Sequence, residues 1–403
     1  MKQRIAVIGL GLAGACMVRA LAQSAGSDTE VTAYEAASAP ATGASGNPLG
    51  VMHPLVSKDW NLASQFYAAG IEETWAWCEA LGGLKSGWAD RCGAVLMPQG
   101  RVDPGVEPSL EPTVETSGGW IQPQALVAAC LEDARALLGG RLTVQFNARL
   151  GPVQLAEIQE SFAAVAVCAA GDMLAPWATG LCLNRIAGQL SWLPAQPHEG
   201  PSQVVCGDGY VAPVVQGRLV VGASFERLVE GAALGKRALG AQAWGTQAFQ
   251  PTIPGRDDVT TVLSPWPVTA EGHASNRLRL EALLPNLAVG LADRWPQAQG
   301  RASVRVATRD RLPHVGQFWD AAAPLPRSVS RLEQMPRQAA LYALLGLGSR
   351  GLSIAPMAAT ALARWILRDE PPQGRLWQAV DPARFVLRAH QRRGVVDGQT
   401  CEL

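Results

Sequence analysis

A glycine-rich turn near the start of the chain is the first feature with recognisable chemistry. Gly9, Gly11 and Gly14 follow the apolar run IAVIG and open a segment with helical periodicity. In such a unit the first glycine allows the tight turn, the second lets a pyrophosphate reach backbone amides, and the third lets helix pack on strand. Glu35 ends the next predicted strand, where it can accept hydrogen bonds from a ribose. The pattern predicts a dinucleotide site; glycines that serve packing alone are the alternative.

A second stretch of bare backbone, GASGN at residues 43–47, precedes the largely apolar segment 51–56. Its small residues would let Ser45, Gly46 and Asn47 lie against the same pyrophosphate. The apolar residues that follow would keep a flavin ring away from water. This combination favours FAD over NAD, whereas an ordinary turn above a core strand is the competing interpretation.

Composition indicates a globular protein without a global signature for nucleic acid. The chain has 403 residues, 48% of them hydrophobic and 17% charged, and a formal net charge of zero. Its length exceeds what one core normally supports, so we expect two domains or one domain with a large insertion. The eight cysteines have no metal-ligand spacing and are expected to be reduced thiols of a cytoplasmic protein without a metal.

Hydrophobic periodicity predicts an α/β fold interrupted by an antiparallel part. Strand, turn and helix signals alternate over residues 1–85, 119–185 and 301–403, which we assign to a discontinuous dinucleotide-binding domain. Short strands at hairpin spacing dominate 186–300, which together with 86–118 would form a substrate or cap domain. No run of the sequence is long and apolar enough to span a bilayer, so no membrane partner is expected.

Taken in order along the chain, these motifs resemble the FAD-dependent D-amino acid oxidase and glycine oxidase superfamily. The resemblance covers nearly the whole sequence and includes GLGLAG, GASGN, ATRDRLPHVG and GLGSRGLSIAP. It implies a glutathione-reductase-like FAD-binding Rossmann domain with an inserted, mostly antiparallel β substrate domain. Within the superfamily the motifs look most like the oxidoreductase half of the bifunctional tRNA 5-methylaminomethyl-2-thiouridine biosynthesis enzymes. Those enzymes usually carry a methyltransferase domain first, so we expect either an excised half or a partner of a separate methyltransferase.

The resemblance also implies further contacts to FAD. The strand AVAVCAAG ends at Gly171, and Gly348, Gly351 and Leu352 belong to the motif that precedes the last long helix. That helix begins near Ala355, so its positive N-terminal end would face the flavin where negative charge develops on reduction. FAD is expected to be held without a covalent bond.

For the substrate, the resemblance implies a carboxylate held by arginine. Arg305 occupies the position used for this purpose in glycine-oxidase-like proteins, and Arg350, in the GSRG turn, is the second candidate. Tyr210, in GYVAP, is expected to close the pocket or hydrogen-bond the substrate, although a strand tyrosine is as often part of a core. For any single arginine a surface ion pair is the alternative.

The implied reaction is oxidation of 5-carboxymethylaminomethyl-(2-thio)uridine at the tRNA wobble position to the 5-aminomethyl form, with release of glyoxylate. An amino acid oxidase or dehydrogenase of the glycine oxidase type, acting on a small molecule, is one alternative. A non-catalytic RNA-binding protein that keeps flavin as a structural element is another. The arginine-rich segment 384–393 is a candidate tRNA surface, with a solvated amphipathic helix as the competing interpretation.

Overall fold

The structure is a computed structural model that describes residues 3–57, 59–98, 111–170, 180–228 and 266–393. Its strands are β1 (Gln3–Ile8), β2 (Thr29–Tyr34), β3 (Gly50–Met52), β4 (Ala89–Asp90), β5 (Ala94–Leu96), β6 (Thr113–Glu115), β7 (Gly119–Ile121), β8 (Leu142–Gln145), β9 (Ala164–Val167), β10 (Leu183–Pro194), β11 (Val204–Gly207), β12 (Gly209–Val211), β13 (Arg218–Gly222), β14 (Glu226–Arg227), β15 (Gln299–Thr308), β16 (His314–Trp319) and β17 (Arg337–Leu345). Its α-helices are α1 (Leu12–Ser24), α2 (Leu62–Ala80), α3 (Gly83–Ser86), α4 (Pro123–Leu138), α5 (Pro152–Ser161), α6 (Ala270–Leu283), α7 (Pro285–Gly290), α8 (Ala355–Arg368), α9 (Arg375–Gln378) and α10 (Arg384–Arg393).

A six-stranded sheet in the order β16-β17-β9-β1-β2-β8 forms the α/β part of the molecule. β1 lies inside it, parallel to β2 on one side and to β9 on the other. Ile5 and Val7 pack into the cluster that contains α1, α4 and α8, while Ala6 and Ile8 pack with Leu155 of α5 on the other face. Burial on both faces explains the unbroken apolar run of this strand.

An eight-stranded, mostly antiparallel sheet forms the second part. Its longest pairing joins β10 to β15, from Leu183 opposite Thr308 to Trp192 opposite Gln299. β5 and β6, which precede α4 in the chain, complete the far end of this sheet. The parallel and antiparallel sheets confirm the predicted fold class. The predicted boundaries at 185 and 300 fall inside β10 and β15, and the division into two domains stays a prediction.

The helices α6 and α7 differ from the sequence-based expectation, which assigned mainly short strands to this region. The Thr269 hydroxyl caps α6 by accepting a hydrogen bond from the Gly272 amide at 3.0 Å, and Leu280 and Leu283 pack against the antiparallel sheet. The sequence also predicts one helical stretch in this region, at residues 238–249, and it lies outside the described residues. Among the described residues, no helix combines the length and apolarity that a bilayer crossing needs.

The two sheets meet where β15 passes the segment that follows β17. Ala307 forms a bridge with Leu347, and the Gly348 amide donates to the Val306 carbonyl at 2.9 Å. A small sheet of β3, β7 and β4 lies beside this junction, since the space around Gly50 in β3 is filled by the side chain of Leu352. The fold therefore brings the start of α1, β3, β15 and the glycine-rich end of β17 to one place.

Candidate active site

The glycine turn between β1 and α1 has the geometry that its sequence predicts. Gly9 has φ +93°, a conformation that favours glycine. A Cβ atom on Gly14 would overlap the Gly9 carbonyl oxygen, so helix and turn touch only because the side chain is absent. Gly11 is the N-cap residue of α1 and has no side chain to cap it. The first amides of the helix therefore face a site suited to an anion.

Glu35 lies at the carboxyl end of β2, beside the turn. Its carboxylate accepts hydrogen bonds from the backbone amides of Leu10 at 2.7 Å and Ala37 at 2.9 Å. Only 9% of the residue is exposed. A carboxylate has more acceptor positions than these two bonds use, so Glu35 can fix the glycine turn and still bind a ribose. Its role toward the ribose stays a prediction.

The segment 43–47 folds against the start of α1. The Ser45 hydroxyl accepts a hydrogen bond from the Leu12 amide at 2.9 Å. Gly46 is buried, and a Cβ atom there would meet the Ala41 carbonyl at 2.5 Å and the guanidinium of Arg301. The Asn47 side chain accepts from Arg301 Nη1 at 3.1 Å. The predicted pyrophosphate residues thus lie together with the glycine turn.

The glycine-rich segment after β17 reaches the same place. Gly348 has φ +59°, and the Cβ position of Gly351 lies 3.4 Å from the side chain of Leu12, the first residue of α1. Leu352 is nearly buried, and its carbonyl accepts from the Thr74 hydroxyl at 2.8 Å. Ala355 then starts α8. Gly171, also predicted to contact FAD, lies outside the described residues.

Arg305 projects from β15 into the junction of the two sheets. Its Nη1 donates to the Ser349 hydroxyl at 3.0 Å, and its Nη2 lies 3.5 Å from the Ser224 carbonyl. Its guanidinium also lies 6.0 Å from the ring centre of Phe225, a side chain that is 57% exposed. Burial lowers the pKa of Arg305, yet none of the described carboxylates forms an ion pair with it. A desolvated guanidinium without a counter-ion is suited to an anionic ligand.

Arg350 is a second guanidinium of the same kind. Its Nη1 donates to the His53 carbonyl at 2.9 Å, and its charged group lies 5.4 Å from the ring centre of Tyr67. Burial lowers its pKa, and within the described ranges it too has no ion pair. Tyr67 in turn donates to the Arg311 carbonyl at 2.5 Å. Burial raises the pKa of Tyr67 to about 12, so this hydroxyl keeps its proton.

Tyr210 lies near Arg305, and Cys206 lies near Arg350. Both lie on adjacent antiparallel strands, where Cys206 stands opposite Tyr210. Burial raises the pKa of Tyr210, although the nearby charge of Arg305 acts in the opposite direction. Burial likewise raises the pKa of Cys206 to about 12 despite the charge of Arg350. Arg305, Tyr210 and Arg350, the three predicted substrate residues, are therefore brought into one wall whose tyrosine and thiol stay neutral.

His53 adds a neutral imidazole to this wall. Its Nδ1 donates to the Pro54 carbonyl at 3.0 Å, which leaves Nε2 as an acceptor. Burial, and then the charge of Arg350, lower the pKa of His53 to about 4. The histidine is consequently uncharged at neutral pH.

Sequence reasoning missed several residues of the site. Ser349 and Ser224 hold Arg305, and Arg301 binds the 42–47 segment, yet sequence reasoning assigned none of them a role, although Ser349 lies in the GLGSRGLSIAP motif. The available signal for Arg301 was its spacing from Arg305, because residues four apart on one strand point to the same face. A serine that accepts a hydrogen bond on a loop has no such periodic spacing, so a single sequence does not identify it.

The residues at this junction fit FAD on two structural grounds. The side-chain-free turn of Gly9, Gly11 and Gly14, with the Ser45 hydroxyl beside it, leaves a helix N-terminus open to a pyrophosphate. Two guanidiniums, Arg305 and Arg350, lie at the same junction of the sheets, and neither forms an ion pair with a described carboxylate.

Comparison with known proteins gives relatives along nearly the whole chain. The tRNA 5-methylaminomethyl-2-thiouridine biosynthesis bifunctional protein MnmC of Azoarcus sp. (strain BH72) is 32% identical over 96% of this chain. The protein of the same name from Burkholderia thailandensis is 30% identical, again over 96%. The chain spans 60% of the length of each of these relatives.

Solved structures show the same fold at low sequence identity. Glycine oxidase from Geobacillus kaustophilus superposes with a TM-score of 0.60 at 16% identity, covering 95% of this chain and 99% of that one. Iminodiacetate oxidase from Chelativorans sp. BNC1 superposes with a TM-score of 0.59 at 21% identity, covering 93% and 97%. A family model described as FAD dependent oxidoreductase (DAO) matches residues 4–365. The chain therefore belongs to this family of flavoenzymes and uses FAD as its cofactor.

Proposed function

We propose that this chain oxidises the secondary amine of 5-carboxymethylaminomethyl-(2-thio)uridine at the wobble position of tRNA. The observation that carries the proposal is the pair Arg305 and Arg350, two desolvated guanidiniums that form no ion pair with a described carboxylate. A carboxymethyl group supplies the missing anion. The names of the MnmC relatives supply the tRNA context, because 5-methylaminomethyl uridine is the N-methylated form of the 5-aminomethyl product.

Arg305 would hold the substrate carboxylate. The guanidinium has five N–H donors and uses two of them toward Ser349 and Ser224, so a forked pair remains for a carboxylate. The exposed ring of Phe225 lies beside it and would cover the bound group. The neighbouring Tyr210 and Cys206 are neutral, and no carboxylate among the described residues forms an ion pair with this arginine.

The same charges prepare the amine for oxidation. Two nearby guanidiniums disfavour a protonated amine and so lower its pKa, which favours the neutral form whose lone pair assists loss of hydride from the glycyl carbon. FAD held by the glycine turn and the 43–47 segment would supply the acceptor for that hydride. Water then hydrolyses the substrate imine to glyoxylate and the 5-aminomethyl uridine, and the chain's contribution is orientation and exclusion of water from the first step.

The tRNA surface that the sequence suggested at 384–393 needs a correction. Arg384 is 2% exposed and makes a bidentate ion pair with Asp310, with both hydrogen bonds at 2.9 Å. His390 is 3% exposed. These residues hold α10 on the core, so they are not available to an RNA backbone.

The outer face of α10 remains available. Arg388 and Arg392 are exposed and four residues apart, so they lie on one side of the helix. Arg388 also approaches Asp310, which places this side next to the exposed Arg309 of the turn after β15. We assign the contacts to tRNA phosphates to these three arginines, since phosphate contacts supply most affinity without sequence preference.

The proposed product needs a further enzyme. Conversion of 5-aminomethyl to 5-methylaminomethyl uridine is an N-methylation, so a methyltransferase must act after this chain. We place this reaction sequence in the cytoplasm, together with the tRNA. The methyltransferase would be either a separate partner or another part of the same polypeptide.

Anaerobic reduction of the flavin tests the proposal. The purified yellow protein is mixed with tRNA that carries 5-carboxymethylaminomethyl uridine, with the same tRNA lacking the carboxymethyl group, and with free glycine. Bleaching of the visible flavin band by the first tRNA alone supports the wobble-uridine oxidase. Rapid bleaching by glycine would instead indicate a small-molecule oxidase, and bleaching by none of them would favour a non-catalytic flavoprotein.

A further inference from the structure

Arg301 holds the 42–47 segment from the side opposite α1. Its Nη2 donates to the carbonyls of Thr42 at 2.6 Å and Gly43 at 2.7 Å. Its Nη1 donates to the Asn47 side chain at 3.1 Å. One side chain therefore binds both ends of the segment, and all three acceptors are uncharged.

The segment has few other means of keeping its shape. Its only regular structure is the single 3-10 turn Ala44–Gly46, and only Gly46 of that turn is buried. The Cβ position of Gly43 has no atom within 4 Å. The Ser45 hydroxyl ties the middle of the segment to α1. The segment is thus bound by α1 on one side and by Arg301 on the other.

The position of Arg301 in β15 gives this contact a second consequence. Arg301 pairs with Leu190 and Arg305 pairs with Ile186, so the two arginines lie on the same face of one strand. Four residues of strand separate them by about 13 Å. The strand that would hold the substrate carboxylate therefore also holds the cofactor segment at a fixed spacing.

We infer that Arg301 is a positioning residue for the cofactor, acting through the backbone of residues 42–47 to keep Ser45 and the neighbouring amides ordered for the FAD pyrophosphate. The contact would let the antiparallel sheet control how tightly FAD is held. Since the inference concerns FAD binding alone, it does not depend on the proposed tRNA substrate.

The test compares FAD binding in Arg301→Gln with the wild type. Loss of charge-assisted hydrogen bonds to the segment should raise the FAD dissociation constant about 10- to 100-fold, measured by quenching of flavin fluorescence on binding to the deflavinated protein. Asn47→Ala removes one acceptor and leaves β15 intact, so it should weaken FAD binding in the same direction but less. Arg277→Gln, which removes an exposed ion pair with Glu281 on α6, is the matched control and should leave FAD binding unchanged.

Melting temperatures separate positioning from general stability. If Arg301 acts through the segment, Arg301→Gln should lower the melting temperature of the FAD-bound protein more than that of the FAD-free protein. Equal losses in both forms, or FAD dissociation constants within twofold of the wild type for both Arg301→Gln and Asn47→Ala, would overturn the inference. Failure of the wobble-uridine reaction would leave these results unaffected, because no substrate is present.

Discussion

Replacement of Arg305 separates its proposed role from a structural one. In the FAD-bound protein, Arg305→Met removes the guanidinium and keeps much of the aliphatic volume. A bidentate pair with a carboxylate consists of two charge-assisted hydrogen bonds of about 1.5–3 kcal/mol each. Because the two bonds are not fully additive, their removal should cost about 3–5 kcal/mol of transition-state stabilisation. This loss corresponds to a fall in kcat/KM of between about 100-fold and several thousand-fold.

The thermal stability of Arg305→Met should be unchanged or higher, in contrast to its activity. Arg305 is desolvated, and within the described residues no carboxylate pairs with it in the free protein. Removing a buried, uncompensated charge costs little and often stabilises. The melting temperature and the FAD content of Arg305→Met should therefore equal or exceed those of the wild type while oxidation collapses.

The assay is the anaerobic rate of flavin reduction as a function of tRNA concentration. Arg305→Lys keeps the charge but loses the forked geometry, so an intermediate loss of about 10- to 100-fold is expected. Arg277→Gln serves as the control, because it removes an exposed arginine from α6, the helix that packs on the antiparallel sheet. Normal reduction of Arg305→Met would refute the carboxylate clamp, and a large loss confined to Arg350→Met would transfer the role to Arg350.

Three further predictions concern the glycine turn, the partly buried His53 and the helix α10. Gly14→Val should abolish FAD binding and lower the melting temperature, because its side chain would overlap the Gly9 carbonyl; the visible absorbance and a thermal melt report both. The pKa of His53 is lowered on folding to about 4, so the unfolded state binds more protons below about pH 6.5. Folding stability should therefore fall as the pH drops from 6.5 toward 4, by up to about 3 kcal/mol, and denaturant titrations should show a smaller fall in His53→Asn. Arg384→Ala should destabilise the fold by about 3–5 kcal/mol because it removes the buried bidentate partner of Asp310 and leaves only the longer contact to Arg388, whereas Arg392→Gln should leave the melt unchanged and lower the salt dependence of tRNA binding by about one unit of slope.

The glycine turn and its neighbours were predictable because their chemistry is local. Gly9, Gly11 and Gly14 have fixed spacing, and Glu35 follows at the end of the next strand, so chain order alone places them. Ser45 lies beside this turn, where the second run of small residues predicts it, and its contact to the pyrophosphate stays a prediction. For these residues sequence and structure agree, and the contact to FAD itself remains to be measured.

The arginines show where a sequence stops being informative. Arg384 and Arg392 both belong to one basic helical stretch, yet the first is buried against Asp310 and the second is exposed. The difference depends on a partner that is distant in sequence, so composition and period cannot reveal it. Arg301 is the converse case, since its contacts are backbone carbonyls in a loop more than 250 residues away.

The helix α6 was missed for a different reason. Few of its residues are apolar, and Leu280 and Leu283 alone of its leucines are buried, so the helical period is weak. Its start depends on the Thr269 cap, and its packing depends on Asn276, which donates to the Gln189 carbonyl at 2.9 Å. A helix stabilised by a cap and polar contacts gives little signal in hydrophobic periodicity.

The most direct test of the central claim is product analysis after one anaerobic turnover. Protein with a known FAD content is mixed with excess tRNA bearing 5-carboxymethylaminomethyl uridine, and glyoxylate and the modified nucleosides are quantified. One glyoxylate and one 5-aminomethyl uridine should form per FAD reduced, with neither product formed by Arg305→Met in the same interval. Reduced flavin without an equivalent of glyoxylate, or without conversion of one modified uridine per FAD reduced, would contradict the proposed reaction.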